Sequence, residues 1–150
     1  MISPELIQKA VIAKLKANTA LVTALGSADK IKESQYQSTD FVYPAVRVDI
    51  NEQTPIGNGV DHLKLSTVGW SVRVYSEKDS SFEANDLLGL VLTALFNTQI
   101  IDATDENSVP HFTMIRIDVT TTQNAIRTAE RLWFAEAFFE SVIHPLVSPI

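Results

Sequence analysis

Cysteine is absent from the 150 residues, which excludes disulfides, thiolate metal sites and cysteine nucleophiles. A cysteine-free chain tolerates either redox compartment, so the absence does not place the protein. Long hydrophobic runs are lacking too: no window nears the ~18 consecutive apolar residues that a membrane span requires. Met1-Ile2-Ser3-Pro4 opens directly into an amphipathic segment, so no charged-then-apolar secretory signal is indicated. Clustered bases are missing as well. Lys9, Lys14 and Lys16 are spread along one helical segment as its solvent side, which disfavours sequence-specific DNA binding, because phosphate contacts need grouped Lys and Arg. With 45% hydrophobic and 20% charged residues, the chain is globular, and a single domain of this length buries roughly 70% of the surface its unfolded chain exposes.

The net charge of −6 is concentrated. Glu77, Asp79, Glu83, Asp86, Asp102, Asp105 and Glu106 face the single base Lys78 within residues 77–106, and the rest of the chain is balanced. Acids in a first helical turn complement the helix dipole, so a solvated helix start accounts for part of this run. A local acidic face is the other reading.

Ser3 as N-cap, Pro4 at the first helical position and Glu5 behind it open a helix whose stripe is Ile7, Val11 and Leu15, with Leu6 and Ala10 beside it. A second short turn starts at Asn18 or Thr19 and ends at Gly26. A short strand within Lys30 to Tyr36 precedes Tyr43-Pro44. Val46, Val48 and Ile50 then alternate with Arg47 and Asp49 as a half-buried strand. The run His62 to Ser76 changes parity near Ser66 to Gly69, which predicts a bulge there. Residues 53–61 between these strands exceed a tight hairpin and predict a projecting arm. Ser80 and Glu83 predict a capping box for a helix with Ala84, Leu87, Leu88, Val91, Leu92, Leu95 and Phe96 on its apolar face. Ile115, Ile117 and Val119 alternate as a further strand. Arg131 to Ser141 is apolar on both parities, which predicts a last strand covered on both sides. A helix over Ala129 to Phe139 competes with it, and the aromatic density favours the strand. The expected fold is a single α+β domain with a mostly antiparallel sheet flanked by helices, in the order α, β, β, β, α, β, β. A short tail covers 145–150.

No catalytic, cofactor-binding or metal-binding residue is assigned. His62, His111 and His144 sit far apart at element boundaries without a second ligand at metal spacing. Asp102 to Asn107 fails the calcium-hand pattern, since Asn107 and Thr113 stand where Gly and Glu are needed. Gly57-Asn58-Gly59 lacks the following Lys-Ser/Thr of a phosphate loop. No G-x-S-x-G elbow occurs. The carboxylate pairs Asp49/Glu52 and Glu136/Glu140 lack any sequence reason to share an apolar cleft.

Four pieces in succession carry a family likeness: the N-terminal helix and short turn ending at Gly26; Tyr43-Pro44-Ala45-Val46-Arg47-Val48; Trp70-Ser71-Val72-Arg73-Val74-Tyr75-Ser76 running into the helix Ser81 to Leu95; and Leu132-Trp133-Phe134-Ala135. This order resembles the tail terminator, or tail completion, proteins of long-tailed bacteriophages. The resemblance implies a small α/β sandwich whose six copies form a ring. It implies that the ring sits on the tail tube, stops its polymerisation and presents a surface to the head-closure or neck proteins. The protein would then be made in the host cytoplasm and carried in the virion at the head-proximal end of the tail. Partner contacts in such a family fall on loops, which points to Pro55, Ile56 and Asn58 in the arm. A ring subunit also needs side contacts with its neighbours, for which Trp133 and Phe139 are candidates. DNA passes through such a ring without sequence-specific binding, and acids in the lumen would repel it; Glu83, Asp86, Asp102, Asp105 and Glu106 are the candidates. Two departures stand against the likeness: a long loop after the central helix and the 145–150 tail. Another neck or tail-tube subunit is the nearest alternative. A small-molecule-binding or enzymatic α+β domain, with a concave apolar pocket inside one subunit, is the alternative from a different class.

Overall fold

In the computed structural model, which describes residues 2–34, 42–56, 65–96, 100–101, 112–128 and 132–145, Ser3 and Pro4 open α1 (Pro4–Lys16). Proline suits this position because its missing N–H is one the helix leaves unpaired anyway. Ile7, Val11 and Leu15 are buried along one stripe. The Asn18 side chain caps α2 (Thr19–Leu25) by accepting the Leu21 N–H at 2.9 Å. Gly26 ends it at φ +86°, a left-handed conformation that costs glycine no Cβ clash. A 3-10 turn, Ala28–Lys30, leads into β1 (Ile31–Glu33).

Five more strands and a helix follow: β2 (Ala45–Pro55), β3 (Ser66–Ser76), α3 (Phe82–Leu95), β4 (Ile100–Ile101), β5 (Phe112–Arg127) and β6 (Trp133–Pro145). They form one six-stranded sheet in the order β1-β2-β3-β6-β5-β4. Every neighbouring pair is antiparallel except β1 with β2. The α+β class expected from the sequence is the class observed. The period of two places Val46 and Val48 in register with Val74 and Val72, and these in turn with Ala135 and Ala137. All are buried in one core with Trp70, Phe139 and the inner stripes of α1 and α3. α1 and α3 pack on this face of the sheet, and α2 packs against both of them.

Several local expectations are corrected. The parity of β3 runs unbroken from Ser66, and the irregularity lies in its partner, between Ile50 and Glu52 of β2. An extra residue in either strand of a pair produces the same mismatch of faces, and sequence alone does not say which strand holds it. The capping box does not form: the Glu83 carboxylate turns back to accept the Ser76 hydroxyl at 2.8 Å and faces Lys78 at 3.7 Å. Phe96 is the C-cap residue of α3 and is exposed rather than part of its apolar face. The last strand is buried chiefly on one parity. Ala135, Ala137, Phe139, Ser141 and Ile143 lie under the helices, whereas Phe134, Phe138 and Val142 on the opposite parity are half-buried. On that face one position, Glu136, is buried and charged. β4 was not anticipated, and β5 extends eight residues past Val119, with register shifts at Met114/Arg116, Val119/Thr121 and Gln123/Ile126.

Gln53 fastens the start of the chain to the base of the arm. Its Nε2 donates to the Ile2 carbonyl at 2.8 Å, and its Oε1 accepts the Ile2 N–H at 3.2 Å and the Ser66 hydroxyl at 3.1 Å. Gln53→Ala should therefore cost about 1–2 kcal/mol in urea unfolding, since three partly buried partners lose their mate together. Hydrogen exchange should show faster exchange at the first turn of α1 with little change in α3. Equal acceleration in both would refute a local clasp.

Candidate functional site

β2 and β3 close the base of the arm through the Ile56 N–H donating to the Leu65 carbonyl at 2.9 Å. Pro55 is exposed there, and Ile56 is 48% exposed beyond it. Asn58 lies outside the described residues, as do His62, His111, Asp102, Asp105, Glu106 and the tail beyond Pro145. Pro55 pairs with Ser66, and Ser66 with Ile143, so the arm leaves one end of the sheet.

Trp133 lies at the other end. It pairs with Ser76, ten residues along β3 from Ser66, which separates the two by roughly 30 Å of strand. The indole is half-buried, its Nε1 is buried without a hydrogen-bond partner, and the Arg127 guanidinium sits 5.9 Å from the ring centre. Phe139 is 2% exposed and stacks on Trp70 at 4.3 Å, so its ring belongs to the subunit core. The two aromatic candidates thus have different surroundings although both point to the helix side.

The acidic start of α3 shares the Trp133 end, because Ser76 both pairs with Trp133 and donates to Glu83. Between α2 and the first turns of α3 lies an open cleft of about 370 Å³, lined by Ala24, Phe82 and Leu90 with Lys78, Glu83 and Asp86 at its polar side. Phe82 is 74% exposed. Among the described residues no group of three His, Asp or Glu side chains could hold a metal ion, and no helix is long and apolar enough to cross a membrane.

The face of the sheet away from the helices carries what the sequence reading missed. In register, Glu52 lies beside Gly69, Gly69 beside Glu140, and Glu140 beside Asp118, a row of acids across four strands. Gly69 fits the row because a Cβ there would meet the Glu52 Cγ at 3.3 Å. A second row runs Arg47, Arg73, Glu136, Gln123. Arg73 reaches Glu136 at 3.3 Å, donates to the Tyr75 hydroxyl at 3.1 Å and sits 5.5 Å from the Phe134 ring centre. Burial opposes the guanidinium charge, but the Tyr75 and Glu136 contacts outweigh it and hold the group above the ordinary arginine value. These rows depend on the β2 and β5 bulges, which set the register, and only pairwise register brings Glu52, Glu140 and Asp118 together.

Fold and surfaces define a two-layer α+β domain with one helix-covered sheet face, one face left uncovered among the described residues, and two chemically different ends. Neither a protein-family model nor a curated protein matches the chain. Among solved structures it is similar to a chain of the virion of a native gene transfer agent particle, with a TM-score of 0.70 and 12% sequence identity. The match covers 92% of this chain and 94% of that one, so the likeness extends over the whole domain. At this identity the shared property is the fold.

Proposed function

We propose that the protein is a structural component of a phage-type virion, and specifically a terminator that forms a hexameric ring on the head-proximal end of the tail tube. The ring stops tube polymerisation and joins the tail to the head-closure or neck protein. One observation carries the reading: over nearly its full length the domain has the fold of a virion chain, and the same length bears the succession of elements that resembles tail terminators.

The surfaces suit such a role. A ring subunit needs several unlike surfaces, and the arm with Pro55 and Ile56 lies at the opposite end of the sheet from Trp133 and the Glu83 and Asp86 turn. In this reading the arm, including Asn58, contacts a neighbouring ring, and Trp133 lies toward an adjoining subunit. Glu83, Asp86 and the Asp102, Asp105 and Glu106 segment contribute acids to the lumen, where they keep DNA phosphates from adhering. The work is done by surfaces, without catalysis or a cofactor.

Sedimentation velocity over a wide concentration range tests it. A discrete six-subunit species that does not grow further is the expected result. Open-ended growth would identify a tube subunit instead. A tight dimer at every concentration would refute both and favour a small-molecule-binding or enzymatic domain.

A further inference from the structure

α3 buries one side against the core and leaves another bare. Ala84, Leu88, Val91 and Leu95 are buried, whereas Phe82, Asp86, Gly89, Leu90 and Thr93 recur at helical spacing along a second side that is exposed or half-buried. Phe82 is 74% exposed, and it lines the cleft between α2 and α3 together with Leu90 and Ala24. Exposed apolar side chains gathered at a concavity mark a contact surface, as singly scattered ones do not. Asp86 lines the same cleft and stands between Phe82 and Leu90, about 6 Å along the helix axis from each. Gly89 is an independent sign of a contact. It sits in the helix interior, where alanine would be the more stable choice, and a Cβ placed there meets nothing within 4 Å. Packing within the subunit therefore gives no reason for the glycine, whereas a glycine on a bare helix face lets another backbone approach closely.

The charge on this side says what the surface receives. Residues 77–90 hold four acids against one base, so once Lys78 and Glu83 have met at 3.7 Å three negative charges are left. These are Glu77, Asp79 and Asp86, all exposed and none in an ion pair with a described residue. We infer that this side of α3 receives a segment of a partner polypeptide in which a Lys or Arg stands between two apolar side chains. The cation meets Asp86, and the apolar groups cover Phe82 and enter the cleft beside Leu90. Nucleic acid does not suit the same surface, because its phosphates would face the acids. The central charge sets selectivity, since a partner with an acid in that position meets Asp86 with like charge. In the ring the segment belongs to the protein adjoining this end, and for that placement alone the inference rests on the ring reading. It takes Asp86 out of the lumen and into the contact.

Fluorescence anisotropy of the full chain with three labelled peptides tests it, their centres being Leu-Lys-Leu, Leu-Glu-Leu and Ser-Lys-Ser. The expected result is saturable, salt-weakened binding of the Leu-Lys-Leu peptide, about tenfold or more tighter than that of either other peptide. Asp86→Lys should lower the affinity for Leu-Lys-Leu by about tenfold or more and favour Leu-Glu-Leu instead. Gly89→Leu should raise the melting temperature while weakening binding by about tenfold, a combination that a merely structural glycine does not give. Both positions are exposed, so circular dichroism should stay that of the parent. Equal binding of the three peptides, no saturation at millimolar peptide, or unchanged binding in either variant overturns the inference. A changed sedimentation profile in place of changed peptide binding also overturns it, because this side of α3 would then be a contact between copies. A discrete hexamer that does not bind the peptide overturns the inference and leaves the ring reading intact, whereas a chain that binds the peptide and forms no ring does the reverse.

Discussion

Trp70→Ala is expected to remove a large share of the stability of the domain, about 3–5 kcal/mol in urea unfolding. Native domains of this size hold only about 5–15 kcal/mol in total, so the variant should populate unfolded chain measurably. The reason lies in three contacts that one side chain makes at the centre of the sheet. Trp70 is fully buried, its ring stacks on Phe139 at 4.3 Å and 15°, and its indole N–H donates to the Ser141 hydroxyl at 2.9 Å. Both partners lie on β6, so the residue ties β3 to β6 beneath the helices. Truncation leaves a cavity that the rigid sheet cannot collapse into, and it leaves the buried Ser141 hydroxyl without this donor. Trp70→Phe separates the contributions. It keeps an aromatic ring for Phe139 and loses the indole donor, so a smaller cost of about 1–2 kcal/mol is expected. Equal costs for the two variants would show that the hydrogen bond, not the packing, dominates.

This centre was legible in the sequence because periodicity encodes it. Val68, Trp70, Val72 and Val74 alternate without interruption, and Ile7, Val11 and Leu15 recur at helical spacing, so the buried sets could be named residue by residue. What stayed hidden depends on pairing between distant segments. Glu52, Glu140 and Asp118 fall in one register row only because β2 carries its extra residue after Ile50 and β5 shifts after Met114. Neither bulge has a glycine or proline to mark it. β5 past Val119 was missed for a related reason: Thr120 to Arg127 is polar and bulged, so no strict alternation survives, although threonine favours strands. The capping box was legible as a pattern and still does not form, because the last residue of β3 and Lys78 just after it present a hydroxyl and an ammonium to Glu83 instead. The candidate surfaces were partly legible in the same sense. The arm follows from surplus length, and the exposure of Ile56 follows from the arm; the exchange of Phe139 from interface to core follows only from its register with Trp70.

Arg73→Met and Glu136→Leu are expected to be far more costly one at a time than together. Glu136 is 6% exposed on the uncovered sheet face, held by Arg73 through two carboxylate contacts at 3.3 Å. Arg73 is itself partly open to solvent, so solvent screens the pair and its net worth is small. Breaking it is another matter. Arg73→Met leaves a nearly buried carboxylate without its cation, for which about 2 kcal/mol is expected once screening has reduced the 3–5 kcal/mol typical of fully buried pairs. Glu136→Leu instead leaves Arg73 beside Arg47, its neighbour in register, with Tyr75 and Phe134 still in contact. That loss should be nearer 1 kcal/mol, because Arg73 stays partly open to solvent, which screens its repulsion from the buried Arg47. The double variant removes both charges from a face that already carries Phe134 and Phe138, and it should return to within about 1 kcal/mol of the parent. Urea midpoints for the four proteins give the coupling directly. A double variant as unstable as the sum of the singles would mean that the pair does not couple. An unchanged sedimentation profile in the double variant would then assign this pair to folding specificity and not to assembly.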